Sequence, residues 1–129
     1  MLFVRTKLQQ SPIQGIGLFA DQFIPKGTVT WEYSPEFDTG FTEEQINQMS
    51  PIGRESFLWY AYFDHARRKF ILPSDNLRFI NHSKKNTNID STPDKDIAAR
   101  DIEPGEELLC DYNKFDPAYW ERHNITPKE

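Results

Sequence analysis

The segment NLRFINHSKKN, residues 76–86, ends an apolar run with three consecutive polar residues, Asn81, His82 and Ser83. Asn and Ser bond readily to neighbouring backbone groups, so the triplet by itself is typical of a turn that ends a strand. A single histidine at such a position is more often structural than catalytic. The segment becomes informative through the residues that accompany it elsewhere in the chain.

The composition indicates one globular domain. Its 129 residues are 37% hydrophobic and 14% aromatic, enough for a modest core. The formal net charge is −5 and the basic clusters are short, which argues against direct binding of nucleic acid and favours a basic protein partner. Cys110 is the only cysteine, which excludes a disulfide framework and a cysteine-built zinc site, and we expect no metal. The sequence shows neither a membrane-spanning run nor a signal peptide, so we expect a soluble, cytoplasmic protein with no membrane partner.

Short runs rich in β-branched and aromatic residues predict a mostly-β fold. The expected strands are LFVRTKL (2–8), GIGLFAD (15–21), TVTWEY (28–33), SFLWYAYF (56–63), KFILP (69–73), DIAAR (96–100) and ELLCDY (107–112). Alternation within SFLWYAYF would place Leu58, Tyr60 and Tyr62 on one strand face.

Helices are expected at two places only. Thr42 and Gln45 match a capping box at the start of TEEQINQMS (42–50), and Pro51 should stop that helix. A second helical turn is expected after Asp116, with Pro117 at its first position. The chain also contains an internal repeat, since FIPKGTVTWEY (23–33) and DIEPGEELLCDY (101–112) share the order Ile, Pro, Gly, strand. Each copy predicts a tight turn that leads into a strand.

Three motifs follow one another along the chain: GIGLFA (15–20), RFINHS (78–83) and GEELLCDY (105–112). GIGLFA alone could be a strand in which glycines allow a bulge or a close approach. Together the motifs resemble the SET-domain family of protein lysine methyltransferases. The sequence has no zinc-binding cysteine clusters beside these motifs, and in this it resembles the compact viral and bacterial members of the family. The resemblance implies one SET domain over 1–129, with a core of about 3–115 and a tail, 116–129, that closes a lysine channel.

The implied fold is β-clip-like, with several small sheets and a C-terminal motif threaded beneath a loop beside Asn81-His82-Ser83. The implied activity is methyl transfer from S-adenosyl-L-methionine to a lysine of a protein substrate. In the family, the residues that contact the cofactor match Ile16, Gly17, Leu18, Tyr60, Arg78, Asn81 and His82, although the choice of Tyr60 over Tyr62 depends on the strand register. Tyr112 matches the catalytic tyrosine. The expected walls of the lysine channel are Tyr33, Tyr62, Cys110, Phe115 and Trp120.

Two departures from the family pattern affect the expected function. Many members carry Phe or Tyr where Cys110 stands, and the smaller cysteine predicts a roomy channel with a di- or trimethylated product. The usual Asn-His-Ser-Cys-x-Pro-Asn is replaced after Ser83 by Lys84-Lys85-Asn86-Thr87-Asn88. A catalytically silent SET domain that binds a peptide or the cofactor therefore stays an alternative, as does a mostly-β interaction module with chance motifs. The intact Tyr112 favours the enzyme.

Overall fold

The computed structural model describes residues 1–127, in which short strands predominate and form three separate sheets. The strands are β1 Thr6–Gln10, β2 Ile16–Ala20, β3 Val29–Glu32, β4 Thr39–Phe41, β5 Tyr62–Asp64, β6 Lys69–Leu72, β7 Asn81–His82, β8 Ile89–Ser91, β9 Lys95–Ala98 and β10 Leu109–Cys110. The helices are α1 Glu43–Asn47, α2 Pro51–Tyr60 and α3 Tyr119–Arg122, with 3-10 turns at Asn76–Phe79 and Tyr112–Lys114. This architecture confirms the predicted mostly-β fold of small sheets.

The central sheet has the strand order β3-β9-β8-β10-β7, and the other two sheets are the β1-β2 hairpin and the set β4-β6-β5. Strand β10 lies between β7 and β8 and runs parallel to both. Since β7 and β8 are consecutive in the chain, the loop 83–88 that joins them must pass over the C-terminal motif. Asn88 holds this crossing, because its side-chain oxygen accepts the Leu109 N–H at 2.8 Å and its amide donates to the Glu107 carbonyl at 2.9 Å.

The internal repeat forms the two turns that its glycines predict. Gly27 has φ 87° and Gly105 has φ 90°, a left-handed conformation that glycine adopts at little cost. The two turns also pair with each other, since Ile24 and Ile102 exchange backbone hydrogen bonds of 2.9 Å in each direction. The repeat therefore brings the segment before β3 against the segment before β10 and closes one side of the core.

The segment SFLWYAYF differs from the sequence prediction, because residues 56–60 belong to α2 and only Tyr62 and Phe63 lie in a strand. Ser50 caps α2 by accepting the Gly53 N–H at 3.0 Å, and Pro51 occupies the first turn. Once the helix starts, Phe57 and Leu58 are buried against Ile46, so tertiary packing outweighs the β propensity of the aromatic residues. Tyr60 and Tyr62 consequently do not share a strand face.

The remaining helix predictions are confirmed in part. The capping box of Thr42 and Gln45 is present at the start of α1, as predicted. Pro51, expected to stop that helix, instead begins the next one, as suits a residue without a backbone N–H. In the tail, α3 starts at Tyr119 with Ala118 as its cap, so Pro117 precedes the helix rather than occupying its first position.

The hydrophobic core lies among the three sheets and includes fully buried Leu18, Trp31, Ile71 and Ile102. Tyr112 and Phe115 pack against its edge, so the C-terminal motif is part of the core boundary. Within residues 1–127, no helix combines the length and the apolar character needed to cross a membrane.

Candidate active site

Two adjoining cavities share part of their walls, including Tyr60, Arg78, Ile80 and Tyr112. The wider one, a cleft of about 440 Å³, lies between the β1–β2 turn, the RFINHS segment and the C-terminal tail. This volume is within the roughly 300–1,000 Å³ typical of small-molecule sites. The narrower cavity, of about 60 Å³, runs from half-exposed Trp59 and Tyr60 to fully buried Trp31 and Cys110. Tyr112 thus stands where the two cavities meet.

The threaded strand β10 positions the polar triplet of the sequence. Leu109 pairs with Asn81 and Cys110 pairs with His82 in the parallel β7–β10 ladder. Two residues further on, the Tyr112 N–H donates to His82 Nδ1 at 3.0 Å. Nδ1 is therefore an unprotonated acceptor and the imidazole proton lies on Nε2, so the 3.7 Å approach of Asp111 to Nδ1 is not an ion pair.

The Tyr112 side chain is fixed by its hydroxyl and by its ring. The hydroxyl donates to the Ile80 carbonyl. The ring stacks on Trp120, with centroids 5.6 Å apart and planes at 22°, and meets Phe115 edge-on at 5.8 Å. Burial raises the pKa of the phenol well above its usual value, so Tyr112 stays protonated at neutral pH. It can orient a reactant through its oxygen lone pairs, but it is a poor proton acceptor.

Glu107 connects the three motifs in a way that the sequence analysis missed. Its carboxylate accepts the Ser11 hydroxyl at 2.8 and 2.9 Å and the Asn81 amide at 3.0 Å. A side chain at Gly17 would collide with this carboxylate, which explains the glycine there. The neighbouring Glu106 faces outward and pairs with Arg100 at 3.0 Å. The adjacent glutamates of GEELLCDY look alike in sequence, and only the strand register separates them.

The cleft offers groups that suit a ligand with an ammonium, a carboxylate and a flat ring. The Asn81 amide nitrogen is bound by Glu107 and by the Gln14 carbonyl at 3.1 Å, so the side chain presents its oxygen as an acceptor. Arg78 borders both cavities and is held by a 3.1 Å bond from Nε to the Pro73 carbonyl. Apolar faces come from Ile16 and Trp120. This donor set fits S-adenosylmethionine.

The structure brings most of the predicted cofactor residues together. Ile16, Tyr60, Arg78, Asn81 and His82 all line the cleft. The other two predicted residues lie behind it, since Gly17 is buried against Glu107 and Leu18 is fully buried in the core. They support the wall of the cleft without forming its surface.

The predicted channel residues divide into three groups. Tyr62, Cys110 and Phe115 line the narrow cavity, as expected for a lysine channel. Trp120 lines the cleft instead, because stacking on Tyr112 holds it on that side. Tyr33 lies away from both cavities, with the Arg67 guanidinium 4.2 Å from its ring centroid.

The narrow cavity also has polar lining residues that were not predicted, among them Thr92, Asp116, Trp31, Ser91 and Asp96. The expected strand DIAAR carried a signal for the last of them, because alternation from buried Ala98 also turns Asp96 inward. No metal was expected, and within residues 1–127 no three or more His, Cys, Asp or Glu side chains are grouped so as to hold a metal ion.

A family profile described as the SET domain matches residues 15–113. No curated protein matches the chain. Among solved structures, the Polycomb repressive complex 2 from Chaetomium thermophilum, in an autoinhibited conformation bound to S-adenosylmethionine, aligns with a TM-score of 0.66 at 24% identity. The alignment covers 94% of this chain but only 16% of that one.

Two further structures show the same fold. That complex with two forms of histone H3 aligns at a TM-score of 0.61 and 22% identity, over 84% of this chain and 14% of that one. A candidate histone methyltransferase of Plasmodium falciparum aligns at 0.59 and 18% identity, over 84% of this chain and 93% of that one. The profile match over residues 15–113 establishes that the chain belongs to the SET-domain family, and the threaded β10 beside Asn81 and His82 agrees with it.

Proposed function

We propose that this protein transfers a methyl group from S-adenosyl-L-methionine to the side-chain amine of a lysine in a protein substrate. The observation that carries the proposal is the position of Tyr112 in the wall shared by a ligand-sized cleft and a narrow cavity. Such a junction lets two reactants enter from different sides and meet at one buried hydroxyl. Positioning of this kind supplies much of the rate of a displacement reaction.

In the cleft, S-adenosylmethionine would supply a methyl group carried on a sulfonium. Asn81 would accept a hydrogen bond from its ammonium, and Arg78 would bind its carboxylate through the planar guanidinium. Ile16 and Trp120 would pack against the adenine, with His82 beside them. The bonds of Asn81 to Glu107 and Gln14 hold its acceptor in place before the ligand arrives.

In the narrow cavity, Tyr62, Phe115 and Cys110 would surround the lysine side chain. Free lysine has a pKa of about 10.4 and must lose a proton before it can act as a nucleophile. Desolvation in the narrow cavity and like-charge repulsion from the neighbouring sulfonium would both lower the pKa of that amine. Because the Tyr112 hydroxyl donates its hydrogen to the Ile80 carbonyl, its oxygen is left as an acceptor that would orient the amine.

The substrate is proposed to be a basic protein, because the chain carries a net charge of −5 and the channel would take a cationic side chain. Histone H3 is bound by the Polycomb complex that shares the fold, which supports a basic segment as the substrate class. The altered loop 84–88 does not argue for a silent domain, because Asn88 within it is buried and anchors β10.

Calorimetry with S-adenosylmethionine, followed by transfer of a labelled methyl group to a mixture of basic proteins, tests this function. We expect binding and label on a lysine. Binding without transfer would leave a silent SET domain, and no binding by folded protein would contradict both readings. Mass spectrometry of the labelled band would then identify the substrate lysine.

A further inference from the structure

The narrow cavity ends at an acidic side chain, Asp96, which is only 4% exposed. Asp96 lies on β9, where its Cα partners are Trp31 on β3 and Ser91 on β8. Directly paired residues in adjacent strands direct their side chains to the same face of a sheet. Trp31, Asp96 and Ser91 therefore form one polar row at the buried end of the cavity, and all three line it.

This polar row holds hydrogen-bonding capacity that the described residues do not use. Within residues 1–127, the Trp31 indole N–H is buried and makes no hydrogen bond. The Ser91 hydroxyl is buried too and has no bond of good geometry, although it lies close enough to Asp96 to favour the ionised carboxylate. Asp96 likewise forms no ion pair with any residue of that range. Buried polar groups almost always have partners, so unused ones around a cavity indicate a polar group that enters from outside.

The surroundings of Asp96 favour a cation as that group. Tyr62 from β5 and Cys110 from β10 interact electrostatically with Asp96, and burial raises the pKa of both above the usual values, so both stay neutral. Two charged residues also line the cavity: Arg78, whose Nε donates to the Pro73 carbonyl, and Asp116, which pairs with Arg122 at 2.5 Å. The positive charge of the amino terminus weakly favours the ionised form of Asp96. The cation nearest to Tyr62, Arg67, is already bound to Asp64 at 2.5 Å and to Asp94 at 2.8 Å. The carboxylate is thus left without a counter-ion from these groups.

We propose that Asp96 is the acceptor for the substrate ammonium at the closed end of the narrow cavity, where it selects a cationic side chain and takes up its proton. This inference rests on the proposed function, which supplies lysine as the occupant of the cavity. The proton passes from the ammonium nitrogen to a carboxylate oxygen, leaving a neutral amine with its lone pair and a neutral carboxylic acid. The amine could then take the methyl group, with the N–CH₃ bond forming as the S–CH₃ bond of the sulfonium breaks, so that the positive charge passes from sulfur to nitrogen.

The acid strength of Asp96 suits this role. Burial raises its pKa to about 7, an increase that the nearby Ser91 hydroxyl offsets in part. A proton acceptor works best when its pKa is close to the working pH, since it is then largely ionised and still basic enough. Tyr112 cannot accept this proton, because its buried phenol stays protonated and its hydroxyl already donates to the Ile80 carbonyl.

The Trp31 indole gives a direct probe of Asp96. In protein labelled with ¹⁵N at tryptophan, the three indole signals are assigned with Trp59→Phe and Trp120→Phe. We expect the Trp31 signal to titrate with an apparent pKa near 7. n-Butylammonium, an analogue of the lysine side chain, should shift the same signal and bind Asp96→Asn about tenfold more weakly or worse. The neutral analogue 1-pentanol should bind both proteins alike, and Asp38→Asn, which changes a buried acid outside both cavities, should behave as wild type.

Equal affinity of wild type and Asp96→Asn for n-butylammonium would overturn the inference. If Asp96→Asn does not fold, the titration of wild type alone tests the inference. A bound ammonium favours ionised Asp96, so saturating n-butylammonium should lower the apparent pKa reported by the Trp31 signal. An unchanged titration would contradict the inference. These readouts need no methyl transfer, so the proposed function can fail while they succeed. Conversely, full transfer by Asp96→Asn would remove Asp96 and leave the proposed function intact.

Discussion

The backbone N–H of Tyr112 donates to the imidazole Nδ1 of His82 at 3.0 Å, although the two residues are 30 positions apart in the chain. The bond ties the C-terminal motif to the RFINHS segment and fixes the tautomer of the histidine. It exists only because β10 enters between β7 and β8. The polar triplet after the apolar run therefore marks a crossing of two distant segments, rather than a simple turn.

Tyr112→Phe should lower methyl transfer by about a hundredfold or more while leaving the affinity for S-adenosylmethionine within about twofold. The hydroxyl lies where the cavities meet, so its loss removes the group that orients the amine but little of the cleft. Turnover and calorimetry measure the two effects. Tyr33→Phe is the matched control, because Tyr33 lies outside both cavities, and transfer at the wild-type rate by Tyr112→Phe would exclude Tyr112 as the catalytic tyrosine.

Asn81→Ala should weaken binding of S-adenosylmethionine by roughly 1–3 kcal/mol, because the ligand ammonium would lose its oriented acceptor. Calorimetry at one pH and salt concentration gives the two dissociation constants. Asn76→Ala, at an exposed asparagine outside the cleft, should bind as wild type does. If Asn81→Ala also binds normally, Asn81 does not contact the cofactor.

Trp120→Ala and Phe115→Ala should affect different binding steps, because the two rings line different cavities. Loss of Trp120 should weaken cofactor binding several-fold. Loss of Phe115 should raise the KM for the protein substrate and leave cofactor affinity unchanged. The same kinetic change in both variants would mean that the tail aromatics merely stabilise the fold, a possibility that thermal unfolding of each variant would reveal.

Asp96 should make the free energy of unfolding depend on pH. Between about pH 4 and pH 8, wild type should become less stable relative to Asp96→Asn. The pKa of Asp96 is raised from 3.8 to about 7 by burial, so the folded state holds the proton more tightly than the unfolded chain does. This contribution is complete below the unfolded value and is lost as the pH passes the folded one. By about pH 8 the loss is nearly complete, and it amounts to a few kcal/mol, on the order of 1.4 kcal/mol for each pH unit between the two pKa values.

Urea unfolding of wild type and Asp96→Asn across this pH range checks the difference in the free energy of unfolding. Asp21→Asn, at an exposed aspartate, should follow the wild-type curve. A constant difference between wild type and Asp96→Asn would show that Asp96 keeps an ordinary pKa in the folded state.

Cys110→Tyr should shift the product from di- or trimethyllysine towards monomethyllysine. Cys110 lines the floor of the narrow cavity and is 1% exposed, so a tyrosine there fills space that successive methyl groups would need. Mass spectrometry of a substrate after many turnovers distinguishes the products. A wild-type enzyme that stops at one methyl group would contradict the prediction, and Cys110→Ala serves as the variant that keeps the cavity open.

Local signals in the sequence determined the elements whose stability depends on neighbouring residues. The capping box of Thr42 and Gln45 began α1 as predicted, since both partners lie within one helical turn. Gly27 and Gly105 formed their turns because positive φ is a property of single residues. The order of the three motifs was enough to predict the family and the threaded fold.

Tertiary structure alone decided which side chains meet. Tyr60 became the end of a helix because Phe57 and Leu58 found a buried partner in Ile46, a contact that no local pattern encodes. Glu107 turned inward beside Asn81 while Glu106 reached Arg100, because β10 fixes the register of the motif. Asp96 came to the floor of the narrow cavity through pairing of β9 with β3 and β8. Each of these outcomes depends on residues that are far apart in sequence. Bringing them together costs chain entropy, and this cost is offset only by the contacts that form when the whole core assembles.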